Sequence, residues 1–127
     1  MQLGSVRESW GSENQKWLGS AHGTNACQTV TLDATKLTKF SKDGIIPSGI
    51  PLKKGVGGKF EPVTEVSDKL AGFLFITQSF KGKADVIAPM LDHGRIRVEY
   101  LPETGFTELS TLEEKNSAFV IVEKGEY

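Results

Sequence analysis

The sequence predicts an α+β domain that is mainly β, with one short helix and an extended N-terminal arm. Along residues 27–127, segments rich in β-branched and aromatic residues are separated by glycine- and proline-containing turns, a pattern typical of short strands. Only one segment has helical spacing. A chain of 127 residues has the length of one domain with a core of moderate size. We therefore expect an arm over residues 1–26 and a single β-rich domain over residues 27–127.

The arm holds four glycines and four serines. Its apolar side chains are scattered at Leu3, Val6, Trp10, Trp17 and Leu18. Val6, Trp10 and Trp17 have the spacing of one helical stripe, but each glycine among them weakens a helix by up to about 1 kcal/mol. Both tryptophans of the chain lie here, and Trp is enriched at interface hot spots. We expect them to pack on a partner or, alternatively, on their own or a sister subunit.

The first strand is predicted from Cys27 to Leu32, where Thr and Val alternate with other residues, and Asp33 should end it. Residues 43–60 contain two prolines and five glycines, which favours short extended pieces and turns. The apolar residues of that segment that can still point into a core are Ile45, Ile46, Ile50 and Leu52.

The strongest strand signal is LAGFLFITQSF over residues 70–80, where a nearly unbroken apolar run from Phe73 to Thr77 predicts a strand buried on both faces. Residues 84–102 predict a hairpin around Asp92-His93-Gly94, since Gly94 supplies the positive φ of such a turn. In its second arm Ile96, Val98 and Tyr100 alternate with charged residues. These three side chains should face the core.

A helix of about two turns is predicted over Thr107 to Asn116. Leu109 and Leu112 are three residues apart, and Ser110 precedes Glu113 and Glu114 at close to capping-box spacing. The two glutamates are adjacent, so on a helix they diverge and belong to the surface. A closing strand is expected from Ala118 to Val122.

The overall charge argues against a protein that binds nucleic acid mainly through bulk charge. Fifteen basic and sixteen acidic residues give a net charge of −1, whereas phosphate binding needs a basic excess. The charges are nevertheless separated along the chain. Residues 34–60 hold six lysines and one acid, and residues 99–127 hold seven glutamates and two lysines. They are either two solvated faces or surfaces through which neighbouring subunits attract.

Cys27 is the only cysteine, so an internal disulfide is excluded and a reducing compartment is compatible with the chain. The sequence shows neither a signal-peptide pattern nor 18 consecutive apolar residues. We therefore expect a soluble protein that has no membrane partner.

Several motifs resemble chemical sites, but simpler structural roles account for them. The glycine-rich stretch at residues 55–59 fails as a phosphate loop because Lys53 and Phe60 replace a required glycine and a Ser/Thr, so a turn is expected. Cys27 as nucleophile and His93 as base, with Asp92 or Asp85 orienting the histidine, are a possible catalytic triad. A small residue opening a strand and a polar residue in a turn explain them more simply.

No zinc-like ligand spacing is present, since the only histidines are His22 and His93. Lys53, Lys54 and Lys59 beside Phe60 lack the aromatic platform of a nucleic-acid-binding groove. The sequence therefore predicts no enzyme, no cofactor or metal, and no nucleic-acid partner.

The second half of the chain resembles the lambda-type head decoration proteins of tailed bacteriophages. The resemblance covers roughly residues 45–122. It is carried by PLKKG with KFEPV, KLAGFLF, DVIAPMLDHGRIRVEYLP and EEKNSAFVIV. The family shows the same succession of a glycine-led apolar strand, a strand, a short turn, an aromatic-bearing strand ending in proline, a charged helix and a closing strand.

This resemblance implies a small, β-tulip-like decoration domain that forms a homotrimer. Such trimers are assembled in the host cytoplasm and bind the exterior of the expanded capsid at local threefold positions, where they cement the major capsid protein. In the family the N-terminal arm engages the capsid. That role would fall here to Leu3, Val6, Trp10, Trp17 and Leu18. The alternatives are a tail-tube or head-completion protein and a small trimeric β-rich enzyme.

Overall fold

A computed structural model describes residues 16–19 and 27–123. The strands of this part are β1 (Gln28–Leu32), β2 (Ile45–Ile46), β3 (Pro51–Lys54), β4 (Phe60–Pro62), β5 (Gly72–Leu74), β6 (Gln78–Ser79), β7 (Val86–Leu91), β8 (Gly94–Arg97) and β9 (Phe119–Val122). Between them lie 3₁₀ turns at Ala34–Lys36, Thr38–Phe40, Val56–Gly58, Val98–Tyr100 and Leu109–Thr111. The expectation of a mainly β fold is confirmed.

Five strands close into a barrel in the order β1, β4, β3, β5, β7. The longest pairing joins β1 and β7 in antiparallel register, from Gln28 opposite Met90 to Leu32 opposite Val86. A parallel contact of Leu32 with Phe60 brings β1 against β4 and completes the ring. Two further sheets have two strands each, β2 with β6 and β8 with β9. The β8 and β9 pair is the small sheet discussed below.

The core has two parts on either side of β5. One cluster, which includes Val30, Leu52, Leu74 and Met90, takes residues from several barrel strands and fills the barrel. The other lies between the barrel and the small sheet, and it includes Trp17, Phe73, Leu91, Ile96, Leu109 and Phe119. Successive residues of a strand point to opposite faces. Phe73 and Leu74 accordingly serve different clusters, and all of β5 is buried, as its apolar sequence predicts.

The first half of the domain has the elements that the sequence predicts. Asp33 ends β1 because its carboxylate accepts hydrogen bonds from the backbone N–H and the hydroxyl of Thr35, which turns the chain into a 3₁₀ helix. Residues 43–60 form short strands and turns as expected. Ile46, Ile50 and Leu52 are buried there. Ile45 is the exception, because it is 46% exposed.

The apolar run of residues 70–80 is not one strand. It is divided into β5, which ends at Leu74, and β6, which covers only Gln78–Ser79. The two pieces belong to different sheets, since β5 pairs with β3 and β7 while β6 pairs with β2. Phe75 to Thr77 are half-buried residues between them. The prediction of a strand continuing through Thr77 is therefore wrong.

The predicted hairpin of residues 84–102 is wrong in its pairing. β7 and β8 exist, and Gly94 has the expected positive φ of 138°, but the two strands do not pair. β7 is bonded along both edges, to β1 and to β5, so no edge is left for β8. Instead β8 pairs in parallel with β9, from Gly94 opposite Phe119 to Arg97 opposite Val122.

The alternation predicted for residues 95–100 holds only through β8. Ile96 is fully buried, but the chain then enters a 3₁₀ turn over Val98–Tyr100. Tyr100 is 37% exposed, contrary to the expectation, and Leu101 is buried next to it. The turn changes the period of the chain from two to about three, so Leu101 takes the inward position expected for Tyr100.

The two-turn helix predicted over residues 107–116 is also wrong. The structure has only a 3₁₀ turn at Leu109–Thr111, with i to i+3 hydrogen bonds from Thr111 to Glu108 and from Leu112 to Leu109. A separation of three residues is also the period of a 3₁₀ helix, so Leu109 and Leu112 are both buried without an α-helix. The closing strand is confirmed as β9.

Candidate functional site

Trp17 occupies a closed socket in the second core cluster. Its side chain is 0% exposed, and its ring stacks on Phe73 with centroids 5.8 Å apart. Phe73 in turn makes an edge contact with Phe119 at 5.0 Å. The indole Nε1 donates to Ser48 Oγ at 3.3 Å, which satisfies the one polar atom of the side chain. A buried Trp needs such an acceptor.

The floor of the socket requires a glycine. Gly49 has φ +94°, a conformation that favours glycine, and an added Cβ would lie 2.9 Å from Trp17 Nε1 and 2.9 Å from Pro102 Cδ. Ser48, beside it, is buried at 4% exposure. Its backbone N–H donates to Thr77 Oγ1 at 3.0 Å. The succession Pro47-Ser48-Gly49 thus gives the ring both room and an acceptor.

Residues 17–19 extend the small sheet along the edge of β8 that β9 leaves open. Arg97 N donates to Trp17 O at 2.7 Å, and Gly19 N donates to Arg95 O at 2.8 Å. Leu18 forms an antiparallel bridge with Ile96. The segment is therefore held both by its backbone and by the Trp17 ring. We call residues 16–19, which belong to the N-terminal arm, the leader anchor.

The leader anchor changes the interpretation of the residues predicted to contact a capsid. Trp17 is enclosed by its own chain, so its side chain is not available to a partner in this structure. Leu18 is half-buried and packs against the same cluster. The assignment of Trp17 as a capsid contact is corrected on that ground, whereas that of Leu18 stays a prediction. Leu3, Val6 and Trp10 lie outside the described residues, so their assignment stays a prediction.

Residue 26 is not a clean boundary between arm and domain. The leader anchor lies before it in sequence but shares a core cluster with β5, β8 and β9. The sequence did not reveal this docking, because the residues that bond or stack with Trp17, namely Ser48, Phe73 and Arg97, lie 31 to 80 positions away along the chain. The local feature of the sequence that points to this docking is the pair Ser48-Gly49, because two small residues leave space beside an apolar segment.

Cys27 and His93 were the candidates for nucleophilic chemistry. His93 Nδ1 lies 2.8 Å from Asp92 Oδ1, so the imidazole has an orienting carboxylate. Burial raises the pKa of the Cys27 thiol, and the negative charge of Asp92 raises it further. A raised pKa disfavours the thiolate, which is the reactive form. This environment is the opposite of the one that activates a cysteine nucleophile.

Two of the three lysines near the glycine-rich turn form ion pairs with carboxylates. Lys53 Nζ lies 2.8 Å from Asp68 Oδ1 and 3.5 Å from Glu61 Oε1. Partial burial alone would lower the pKa of Lys53, but its hydrogen bond to Asp68 raises it, so the ammonium form is favoured. Lys59 Nζ lies 2.7 Å from Asp85 Oδ2. Only Lys54, of the three lysines weighed as a nucleic-acid patch, has no carboxylate partner in the described part of the chain.

The glycine-rich stretch itself is the β3–β4 turn, Val56–Gly58, as expected from its failed phosphate-loop spacing. Within residues 16–19 and 27–123, no group of three or more His, Cys, Asp or Glu side chains is arranged to hold a metal ion. In the same residues no helix has the length and apolar character needed to cross a membrane. Glu113 and Glu114 are both exposed, as predicted.

Comparison of the chain with models of known protein families gives no match, and comparison with curated proteins gives none either. The geometry of the leader anchor and of the surface around it is therefore the basis for assigning a function.

Proposed function

We propose that this protein is a structural virion protein of the decoration type. It binds the exterior of an expanded phage capsid as a homotrimer at local threefold positions and stabilises the shell of major capsid protein. The proposal follows the resemblance of residues 45–122, and the small barrel with a short appended sheet is compatible with it. It names no reaction, since the mechanism is binding alone.

The leader anchor is the observation that carries the proposal. The Trp17 side chain and the two backbone hydrogen bonds of residues 17–19 fix this part of the arm to the body. Residues 17–19 therefore lie at a defined place beside β8. Leu3, Val6 and Trp10 are the apolar side chains of the segment that precedes Lys16. In this proposal they are the capsid contacts, while Trp17 and Leu18 hold the base of the arm.

The binding energy comes from apolar surface that the capsid removes from water, at about 25 cal/mol per Å². Any ordering of backbone or side chains on docking opposes this gain. The leader anchor adds nothing to that cost, because residues 17–19 are already held by hydrogen bonds in the folded chain. A trimer multiplies the effect, since three arms on one particle bind with avidity.

Removal of residues 1–15 tests the proposal while keeping the leader anchor. The truncated protein is expected to unfold at the same denaturant concentration as the full chain and to keep its oligomeric mass. It should no longer co-sediment with expanded, undecorated heads built from the cognate major capsid protein. Truncated protein that still binds those heads with full-chain affinity would overturn the role of the arm.

A point variant sharpens this test. Trp10→Ala should weaken head binding by about 2 kcal/mol or more if Trp10 is an anchor. Gln2→Ala, in the same segment, is the matched control and should bind as the full chain does. A native mass of six subunits, or polymerisation into tubes, would instead favour a tail-tube protein.

A further inference from the structure

The outward face of the β1 and β7 pair carries no charged side chain. The two strands read QTVTL and VIAPML. Thr31 lies opposite Ile87, and Thr29 lies opposite Pro89, so each pair shares a face of the sheet. The residues that alternate with them fill the barrel, namely Val30, Leu32, Ala88 and Met90. We call the outward set, Thr29, Thr31, Ile87 and Pro89, the neutral face.

The neutral face is open to solvent around a large apolar side chain. Ile87 is 70% exposed, the largest exposure of any big apolar residue in the strands that the structure describes. Thr29 is exposed, and Thr31 and Pro89 are half-buried. Exposed apolar surface of this kind, grouped on one face, is typical of an interaction site.

Another part of the same barrel has the usual character of a sheet face in water. On β3 and β4, Lys53 lies directly opposite Glu61. Lys53 Nζ pairs with Glu61 and with Asp68, while the adjacent Leu52 and Pro62 are buried. These strands therefore alternate apolar and charged residues. The lack of charge on the neutral face is a property of that face and not of the whole barrel.

The neutral face continues a surface that the chain itself already covers. Leu91, Pro89 and Ile87 alternate along β7 and therefore point to one side. Leu91 lies opposite Phe73 of β5, and both belong to the second core cluster, beneath the small sheet. Exposure then rises along β7, from 0% at Leu91 to 70% at Ile87. Burying the open end as well requires a second molecule, and this burial would stabilise the complex.

Rotational symmetry selects a second copy of this chain as that molecule. In a closed ring of three, the residues nearest the axis face their own copies. A charged residue there would meet like charges, which oppose assembly, so the centre of such a contact must be neutral. The charged residues lie instead at one end of the face, where Lys81, Lys83 and Asp85 line a depression at the start of β7. A neutral centre with a charged rim is the usual arrangement of a subunit interface.

We infer that the neutral face is the contact between copies of this chain, with Ile87 of each copy nearest the threefold axis. The inference rests on the proposed homotrimer and names its subunit contact. Leu3, Val6 and Trp10, the proposed capsid contacts, are not part of this face. Subunit association and capsid binding therefore use different parts of the chain and can be tested separately.

Sedimentation equilibrium and light scattering measure the mass of the full chain over a range of concentrations. Ile87→Asp should raise the concentration needed for assembly at least about tenfold, because it brings together carboxylates from three copies. Val120→Asp is the matched control, since Val120 is 51% exposed on β9, and it should keep the wild-type mass. Circular dichroism and thermal unfolding identify any variant that does not fold.

Mixing two variants tests whether Ile87 meets its own copies. Ile87→Lys alone should fail to assemble for the same reason as Ile87→Asp. An equal mixture of the two should assemble, because two of the three contacts in any mixed ring of three then join opposite charges. A contact between Ile87 and a different part of the neighbouring copy would not give this rescue, since both charges would still face that other part.

Crosslinking tests the distance between copies. Ile87→Cys is made together with Cys27→Ser, which removes the native thiol. Oxidation, or a short bismaleimide where the sulfur atoms lie farther apart, should link two copies, as measured by mass under denaturing conditions. Val120→Cys in the same Cys27→Ser chain is the control and should remain a single chain.

The inference fails if folded Ile87→Asp assembles as the wild type does, if the mixed variants stay apart, or if Ile87→Cys gives no linked copies. Folded Ile87→Asp that keeps its mass but no longer binds expanded heads would assign the neutral face to the capsid and overturn the subunit contact. Assembly that responds as expected in a protein that does not bind heads would support the contact and overturn the capsid proposal. A wild type that is monomeric throughout would overturn both.

Discussion

The indole ring of Trp17 stacks on the phenyl ring of Phe73 at a centroid distance of 5.8 Å and an interplanar angle of 29°. Phe73 belongs to β5 of the barrel and makes an edge contact with Phe119 of β9. One aromatic row therefore joins the leader anchor, the barrel and the small sheet. Because β8 and β9 form no sheet with the barrel, this row is a principal link between the two sheets.

Trp17→Ala is expected to lower the free energy of unfolding by about 3 to 5 kcal/mol, the usual cost of deleting a large buried aromatic side chain. Urea unfolding at neutral pH measures it. Trp17→Phe keeps a ring against Phe73 and should cost less. If Trp17→Ala were as stable as the wild type, the leader anchor would not be part of the folded core.

A positive φ alone costs a residue with a Cβ about 1 kcal/mol. Gly49→Ala is expected to destabilise the protein by more than this. The added methyl would meet both Trp17 and Pro102 at 2.9 Å, so the socket must also deform. Gly57→Ala is the control, since Gly57 has φ +72° but open space around it. Equal losses in the two variants, measured by thermal unfolding, would show that the contact with Trp17 has no energetic weight.

Sequence patterns predicted features that depend on near neighbours along the chain. Asp33 ends β1 through its own turn, and Gly94 adopts a positive φ as its position between two strands predicts. The buried character of Phe73 and Leu74 followed from an unbroken apolar run. Each of these features is set by local hydrogen bonding or by local composition, so the sequence contains the information.

The features that could not be predicted depend on distant pairing. The sequence favours a β7–β8 hairpin, but β1, whose residues lie 54 to 62 positions before their partners in β7, occupies an edge of β7 that β8 would need. The helix expected at residues 107–116 is likewise replaced by a single 3₁₀ turn, since one such turn is enough to bury both Leu109 and Leu112. The socket for Trp17 is assembled from Ser48, Gly49 and Phe73. Tertiary contacts of this kind override local preference.

The stability of the protein should depend on Asp68 at low pH. Its Oδ1 accepts from Lys53 Nζ at 2.8 Å, and its Oδ2 accepts from the backbone N–H groups of Thr64 and Glu65. Partial burial alone would raise the pKa of Asp68, but these bonds lower it below the ordinary value of 3.8. The unfolded chain therefore binds the proton first on acidification. The contribution of Asp68 is present above pH 3.8 and is lost as the pH falls through the lower folded pKa.

Asp68→Asn should accordingly be less stable than the wild type at neutral pH and should lose less stability between about pH 5 and pH 2. Urea unfolding at a series of pH values measures the two slopes. Asp33 and Asp85 also have lowered pKa values, so the variant keeps part of the acid sensitivity. Asp43→Asn, at an exposed turn position outside this network, is the control for removing one carboxyl group. Identical slopes for wild type and Asp68→Asn would contradict the assignment.

Asn116 ties the start of β9 to the barrel side of the second core cluster. Its Nδ2 donates to Leu70 O at 2.8 Å, and its Oδ1 accepts from Ala118 N at 2.9 Å. Asn116→Ala removes both bonds and should cost about 1 to 3 kcal/mol. Asn116→Asp keeps the acceptor for Ala118 but, when ionised, places a carboxylate against the carbonyl of Leu70. That repulsion should raise the pKa of the new carboxyl group.

The stability difference between Asn116→Asp and the wild type should therefore shrink as the pH falls through this raised pKa, because the protonated carboxyl group can again donate to Leu70 O. Urea unfolding of both proteins across the same pH series tests this. A difference that stays constant with pH would mean that the side-chain bond to Leu70 O does not hold β9 in place.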